Sequence, residues 1–94
     1  MDDQEATATA IVEILFFGKA RELLNLSSSQ IKLPCSTTKA ELFSSVESSF
    51  PELRQLSGCF VLALDQDYLE RGSTERVRLS DRSELAVIPP ISGG

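Results

Sequence analysis

Hydrophobic positions along this chain change period as it runs, and the changes delimit its elements. Ile11 to Phe17 (IVEILFF) is rich in branched and aromatic residues and predicts a strand. Glu13 sets its phase. Val12, Ile14 and Phe16 share the face expected to meet a core, and Ile11, Glu13, Leu15 and Phe17 share the other. That second face carries a charge but also large apolar side chains at one end. It reads either as a contact surface or as a face covered by a short helix or loop of the same chain. Gly18 permits a turn, and Lys19–Leu24 suits a short helical turn that needs packing to persist. After a polar stretch, Asn25–Gln30, the alternation of Ile31, Lys32 and Leu33 predicts a second strand. Pro34 ends it, and the two strands suit an antiparallel pair.

The period then becomes helical. Leu42, Phe43, Val46 and Phe50 form one apolar stripe over about Thr38 to Ser49, with Thr37 or Ser36 as the expected N-cap. Serines 44, 45, 48 and 49 lower its propensity, so packing must hold it. Pro51–Leu56 suits one further turn opened by the proline. Gly58 breaks the chain. Cys59–Leu64 (CFVLAL) is almost wholly apolar and predicts a central strand covered on both faces, with Cys59 as a small buried hydrophobe. Asp65–Asp67 is a turn, and Tyr68–Leu69 a brief extended piece. Glu70–Arg78 is charged, turning at Gly72, with Val77 and Leu79 as isolated apolar anchors. Ser80–Ser83 is a tight turn. Leu85–Ile88 is the last strand, with Leu85 and Val87 towards the helix and Ala86 and Ile88 away from it. One helix laid across a small mixed sheet buries such a stripe most economically, an α+β arrangement with the first strand beside the last. Phe17, Tyr68 and Ile88 then meet on the helix-free face as an apolar patch.

The final run is Val87–Ile88–Pro89–Pro90–Ile91–Ser92–Gly93–Gly94. The prolines stop the strand, because neither donates to a ladder. Extended, the four residues after Pro90 reach roughly 13 Å. The terminal glycines pack nothing and raise the cost of ordering the tail. Such a tail suits a partner that threads it through a narrow channel and acts on the Gly94 carboxylate, although a frayed terminus also carries small residues. The expected organisation is an unstructured extension over 1–9, a folded domain over 10–90 and an extended tail over 91–94.

Composition narrows the chemistry. The chain has 94 residues, enough for one domain, with a net charge of −5 that argues against a nucleic-acid partner. No apolar run approaches bilayer length, and the acidic start lacks the basic region of a secretory signal, so the expected location is the cytosol. There, Cys35 and Cys59 are expected as free or buried thiols. With no histidine, no close cysteine pair and scattered glycines, neither a zinc site nor a phosphate-binding loop is indicated. Asp65 and Asp67 read as surface turn residues rather than a metal site. Arg21 and Glu22 read as a weak local ion pair. No base flanks either cysteine. The C-terminal carboxylate is the exception. Adenylation turns it into an acyl-phosphate anhydride with a good leaving group, and glycine offers no side-chain obstruction to a sulfur or amine nucleophile. On this reading the protein is a carrier or co-substrate, and its partner supplies nucleotide binding and catalysis.

Phe16–Phe17 followed by Ala20–Arg21–Glu22–Leu23, the approach Asp81-x-x-Glu84–Leu85–Ala86–Val87–Ile88, and the ending Pro89–Pro90–Ile91–Ser92–Gly93–Gly94 together resemble the small, sulfur-carrying subunits of molybdopterin synthases, within the ubiquitin-like β-grasp family. The resemblance covers nearly all of residues 11–94. It implies a β-grasp fold with a mixed sheet, one main helix across one face and a flexible tail. It also implies that an E1-like adenylyltransferase/sulfurtransferase activates Gly94 through a transient AMP adduct and converts it to a thiocarboxylate, with Gly93 giving steric clearance. The tail would then enter the large, catalytic subunit of a 2+2 heterotetramer and donate sulfur to cyclic pyranopterin monophosphate, two rounds giving the dithiolene. On this implication the small subunit binds no resident cofactor or metal and is not itself the catalyst. Phe17, Tyr68 and Ile88, with Pro89, Pro90, Ile91 and Ser92, occupy the partner-facing positions. Some relatives have Leu and Phe in place of Tyr68 and Ile88, the turn at Arg82–Ser83 lacks a glycine often found there, and residues 1–9 extend beyond the compact bacterial form. Other readings are a sulfur carrier for thiamine thiazole synthesis or tRNA thiolation, a ubiquitin-like protein modifier, and a binding domain with an inert tail.

Overall fold

A computed structural model describes residues 8–56 and 60–89. Strand β1 (Thr9–Phe16) is followed by helix α1 (Gly18–Leu24), β2 (Ser28–Pro34), β3 (Ser36–Thr38), helix α2 (Lys39–Ser49), a 3₁₀ helix (Pro51–Leu56), β4 (Val61–Leu64), β5 (Asp67–Leu69), β6 (Arg76–Arg78) and β7 (Glu84–Ile88). Five strands form a mixed sheet in the order β2-β1-β7-β4-β5. The first and last strands lie parallel at its centre, with Leu15 opposite Ala86 and Phe16 opposite Val87. The expected β1–β2 antiparallel pair forms, and β4 runs antiparallel to both β7 and β5.

The phase set by Glu13 holds. Val12, Ile14 and Phe16 are buried, while Ile11 and Phe17 are exposed. Leu85 and Val87 join the same core, and Ala86 and Ile88 lie on the opposite face, half-buried. On the core side, α2 contributes Leu42, Phe43 and Val46. Phe50, at its C-terminal end, meets Phe16 edge-on at a centroid distance of 5.0 Å. Expected as one turn, Pro51–Leu56 is a 3₁₀ helix that buries Leu53.

Several expectations need correction. The N-cap of α2 is Thr38, not Ser36 or Thr37. Its hydroxyl accepts from the Glu41 N–H at 3.1 Å, and Glu41 Oε1 accepts from the Thr38 N–H at 3.2 Å, a reciprocal capping box. Ser36–Thr38 is extended instead and pairs with Arg76–Arg78 in a separate two-stranded ribbon, so Val77 is a strand residue rather than an isolated anchor. Strand β4 is not covered on both faces, since Val61 is 36% exposed. Cys59 lies outside the described residues, and Cys35 is a free, half-buried thiol packed against the core. Glu22 pairs with Lys19 at 3.8 Å, where Arg21 was expected as its partner. Of the extension expected over 1–9, Thr9 belongs to β1 and the Ala8 carbonyl accepts from the Cys35 N–H at 2.9 Å, while residues 1–7 lie outside the described residues.

One loop residue ties the far end of the sheet to α2. Arg71 Nη1 lies 3.3 Å from Glu47 Oε2, and Nη2 donates to the Phe60 carbonyl at 3.3 Å. Its guanidinium carbon stands 4.2 Å from the Phe43 ring centroid and 4.8 Å from that of Phe60.

Candidate functional site

Strand register explains why the helix-free face is hollow. Leu15 lies opposite Ala86, Ala86 opposite Ala63, and Ala63 opposite Tyr68. These four residues therefore form one row across β1, β7, β4 and β5, with side chains on the same face. The two central members carry only methyl groups, so the row dips in the middle between the larger Leu15 and Tyr68. Ile88 lies opposite Val61 in the neighbouring row. Phe17 continues β1 by donating its N–H to the Val87 carbonyl at 3.2 Å. The result is a depression of about 330 Å³ lined by Leu15, Phe17, Ala63, Tyr68, Ala86 and Ile88, with Gln66 and Glu84 at one edge.

This surface exposes much apolar area for so small a protein. Tyr68 is 72% exposed and Phe17 43%. The depression brings together Phe17, Tyr68 and Ile88, as the alternation of β1 and β7 predicts. Sequence reasoning missed Ala63, Gln66 and Glu84. Nothing in CFVLAL marks a phase for β4, and Gln66 and Glu84 arrive through turn geometry. Both Asp65 and Gln66 have positive φ, 49° and 76°, as in a two-residue type I′ hairpin turn. Asp65 Oδ1 accepts from the Glu84 N–H at 2.9 Å, and the Asp65 N–H donates to the Glu84 carbonyl at 2.8 Å. Its carboxylate thus serves the turn, in keeping with a surface turn residue.

At the opposite edge of the depression the described chain reaches its last residues. Strand β7 is hydrogen-bonded on both sides, and it leads through Ile88 to a half-buried Pro89. The Pro89 ring packs on Gly18: a β-carbon on Gly18 would stand 3.3 Å from Pro89 Cγ. Pro90, Ile91, Ser92, Gly93 and Gly94 lie outside the described residues. Among the described residues, no three His, Cys, Asp or Glu side chains are grouped to hold a metal ion, and no helix is long and apolar enough to cross a membrane. The Thr38 N–H, then the Thr37 hydroxyl, hold the Glu41 carboxyl below its usual value, and the bond between Lys39 and Glu75, 2.7 Å long, raises the lysine and lowers the carboxyl.

A mixed five-stranded sheet with its first and last strands paired at the centre and helices on one face is a ubiquitin-like β-grasp fold. The same fold is found in small archaeal modifier protein 1 (SAMP1) of Haloferax volcanii, with a TM-score of 0.70 at 16% identity over 90% of this chain and all of that one. It is also found in a complex of subunits 1 and 2 of the molybdopterin-converting factor of Helicobacter pylori, with a TM-score of 0.60 at 23% identity over 89% of this chain and 99% of that one. The ThiS family model matches residues 14–94. The molybdopterin synthase sulfur carrier subunit of Arabidopsis thaliana is 34% identical over 98% of this chain and 92% of its own length. That of Homo sapiens is 36% identical over 88% of this chain and 93% of its own. The chain belongs to the ThiS family of β-grasp sulfur-carrier proteins.

Proposed function

We propose that this protein is the sulfur carrier subunit of a molybdopterin synthase. The observation that carries the reading is the position of β7: its last residue, Ile88, lines the exposed apolar depression, which supports a docking face next to the point from which the tail departs. The names borne by relatives of near-equal length support the same assignment. Phe17, Tyr68 and Ile88 dock on the large, catalytic subunit in a 2+2 heterotetramer. Pro89, Pro90, Ile91 and Ser92 carry the tail, residues 91–94, into its active site, and Gly93 provides clearance. Under an E1-like enzyme in the cytosol, the Gly94 carboxylate attacks the α-phosphorus of ATP, forming an acyl-AMP with release of pyrophosphate. Sulfide-level sulfur (HS⁻) then attacks the acyl carbon, AMP leaves, and a thiocarboxylate remains. The carrier donates that sulfur to cyclic pyranopterin monophosphate, and catalysis resides in the partner.

The test is the intact mass of untagged protein made together with its activating enzyme. An oxygen-to-sulfur exchange mapped to Gly94, consumed on adding the large subunit and the pterin precursor, is the expected result. Deleting Gly94 should abolish it while the protein still binds the large subunit. An unmodified terminus beside an activating enzyme that works on another carrier, or isopeptide conjugates on denaturing gels, would overturn the reading.

A further inference from the structure

Resting on the carrier reading above, we propose that Gly18 and Pro89 form a clasp that sets the direction in which the tail leaves the sheet, and that both are positioning residues for sulfur delivery. The turn at Phe17–Gly18 touches two things at once. The Phe17 side chain borders the depression, while its N–H donates to the Val87 carbonyl at 3.2 Å, two residues before Pro89. Gly18 follows at φ 54°, and the space left by its missing side chain receives the Pro89 ring, with Cγ 3.3 Å and Cδ 3.9 Å from where a β-carbon would stand. The turn is itself anchored. The Phe17 carbonyl accepts from the Ala20 N–H at 3.1 Å and the Arg21 N–H at 3.4 Å, and Ala20 is fully buried. Pro89 has a ring-fixed φ and holds Ile88 extended. Docking face and tail exit therefore share one short, rigid corner.

Lever geometry makes that corner matter. Five residues follow Pro89, and an extended chain of that length spans about 17 Å. Where the partner's channel draws the tail straight, a tilt of about 10° at its root would displace the end by about 3 Å, as large as the separation of about 3–3.5 Å that reacting atoms need. A partner gripping the face at Phe17 receives the tail at a preset angle, and loosening the clasp spends binding energy on redirecting it.

The experiment compares wild type, Gly18→Val, Pro89→Gly and the double variant, each thiocarboxylated by the activating enzyme. Two quantities are read: the Kd of the unloaded protein for the large subunit, and the single-turnover rate of sulfur loss to the pterin precursor at saturating large subunit. Expected for each single variant is a rate at saturating large subunit at least about tenfold lower, over and above any weakening of Kd that Pro89→Gly brings as a change at a partner-facing residue. The double variant should be no slower than the slower single, because both changes break one contact. If Gly18→Val does not fold, Pro89→Gly alone carries the test, since it adds no bulk at the turn. Wild-type rates in Pro89→Gly at saturation, or a loss that follows Kd alone, overturn the clasp. A wild-type protein that takes up no sulfur overturns the carrier reading and the clasp with it.

Discussion

Ala63 and Ala86 stand opposite each other across β4 and β7, and their methyl groups floor the depression on the helix-free face. Each is flanked in the same row by a larger side chain, Ala86 by Leu15 and Ala63 by Tyr68. Their smallness therefore matters to the surface and not to the core. Ala86→Leu should fill the hollow from the solvent side and leave the melting temperature nearly unchanged. It should weaken binding to the large subunit at least about tenfold, or about 1.4 kcal/mol. Ala86→Ser, which keeps the size, should bind as wild type. Titration calorimetry decides it, and equal affinity for the Leu variant would show that the partner does not use the hollow.

The capping box makes a second prediction. Thr38→Ala leaves the Glu41 N–H without its hydroxyl acceptor and should cost about 1 kcal/mol. In a domain of this size that lowers the melting temperature by about 4–8 °C.

Acid should act on the same box. The Glu41 carboxyl is held below its usual value by the Thr38 N–H first and the Thr37 hydroxyl second. A lowered carboxyl binds its proton less readily in the folded state than in the unfolded one. Its stabilisation is therefore complete above the usual value of 4.5 and is lost as pH falls through the folded one. Glu75, lowered by Lys39, acts in the same direction, whereas the raised Lys39 contributes below 10.5 and loses its contribution as pH rises beyond it. Glu41→Gln keeps an acceptor oxygen and removes one titration. Its urea midpoint should fall less than that of wild type between about pH 7 and about pH 3. Parallel curves would refute the assignment.

How much of this was legible in the sequence depends on where a polar residue marked the phase. Glu13 sorts β1 into two faces, and the structure keeps that sorting, which is why Phe17 is correctly placed on the open face. Strand β4 has no such marker. Its apolar run looks buried on both sides, although Val61 faces solvent. Three hydroxyl residues in a row, Ser36, Thr37 and Thr38, blur the cap. The residue that resolves it is Glu41, three positions after Thr38, the spacing of a capping box. The β3–β6 ribbon was not readable, because each strand has three residues and the pairing spans the whole of α2. The depression needed register as well as phase. Ala63 meets Tyr68 through the two-residue Asp65–Gln66 turn, and it meets Ala86 in a register tied by the bonds between Asp65 and Glu84.

Gln66 is poorly suited to its position in that turn. A side chain at φ 76° costs about 1–2 kcal/mol relative to glycine. Gln66→Gly creates the Asp-Gly pair that type I′ turns favour and should raise the melting temperature by about 4–8 °C per kcal/mol gained. A lower melting temperature would mean that the Gln66 side chain contributes more at the depression edge than its backbone costs.

Arg71 offers the sharpest test of what holds the charged loop to the core. Its contact with Glu47 joins side chains that are 38% and 28% exposed, and exposed pairs contribute little. The guanidinium also faces two aromatic rings and donates to the Phe60 carbonyl. A ring contact at a partly exposed site is worth about 0.5–1 kcal/mol, and the charged donor adds a comparable amount. Arg71→Ala should therefore cost about 2 kcal/mol, against less than about 0.5 for Glu47→Gln. Arg71→Lys keeps the charge but loses the planar fork that reaches both rings and the carbonyl, so it should recover less than half of the loss. Urea unfolding of the three variants separates the causes. If Glu47→Gln were as damaging as Arg71→Ala, the ion pair and not the aromatic shelf would hold the loop, and the loss should then shrink in high salt.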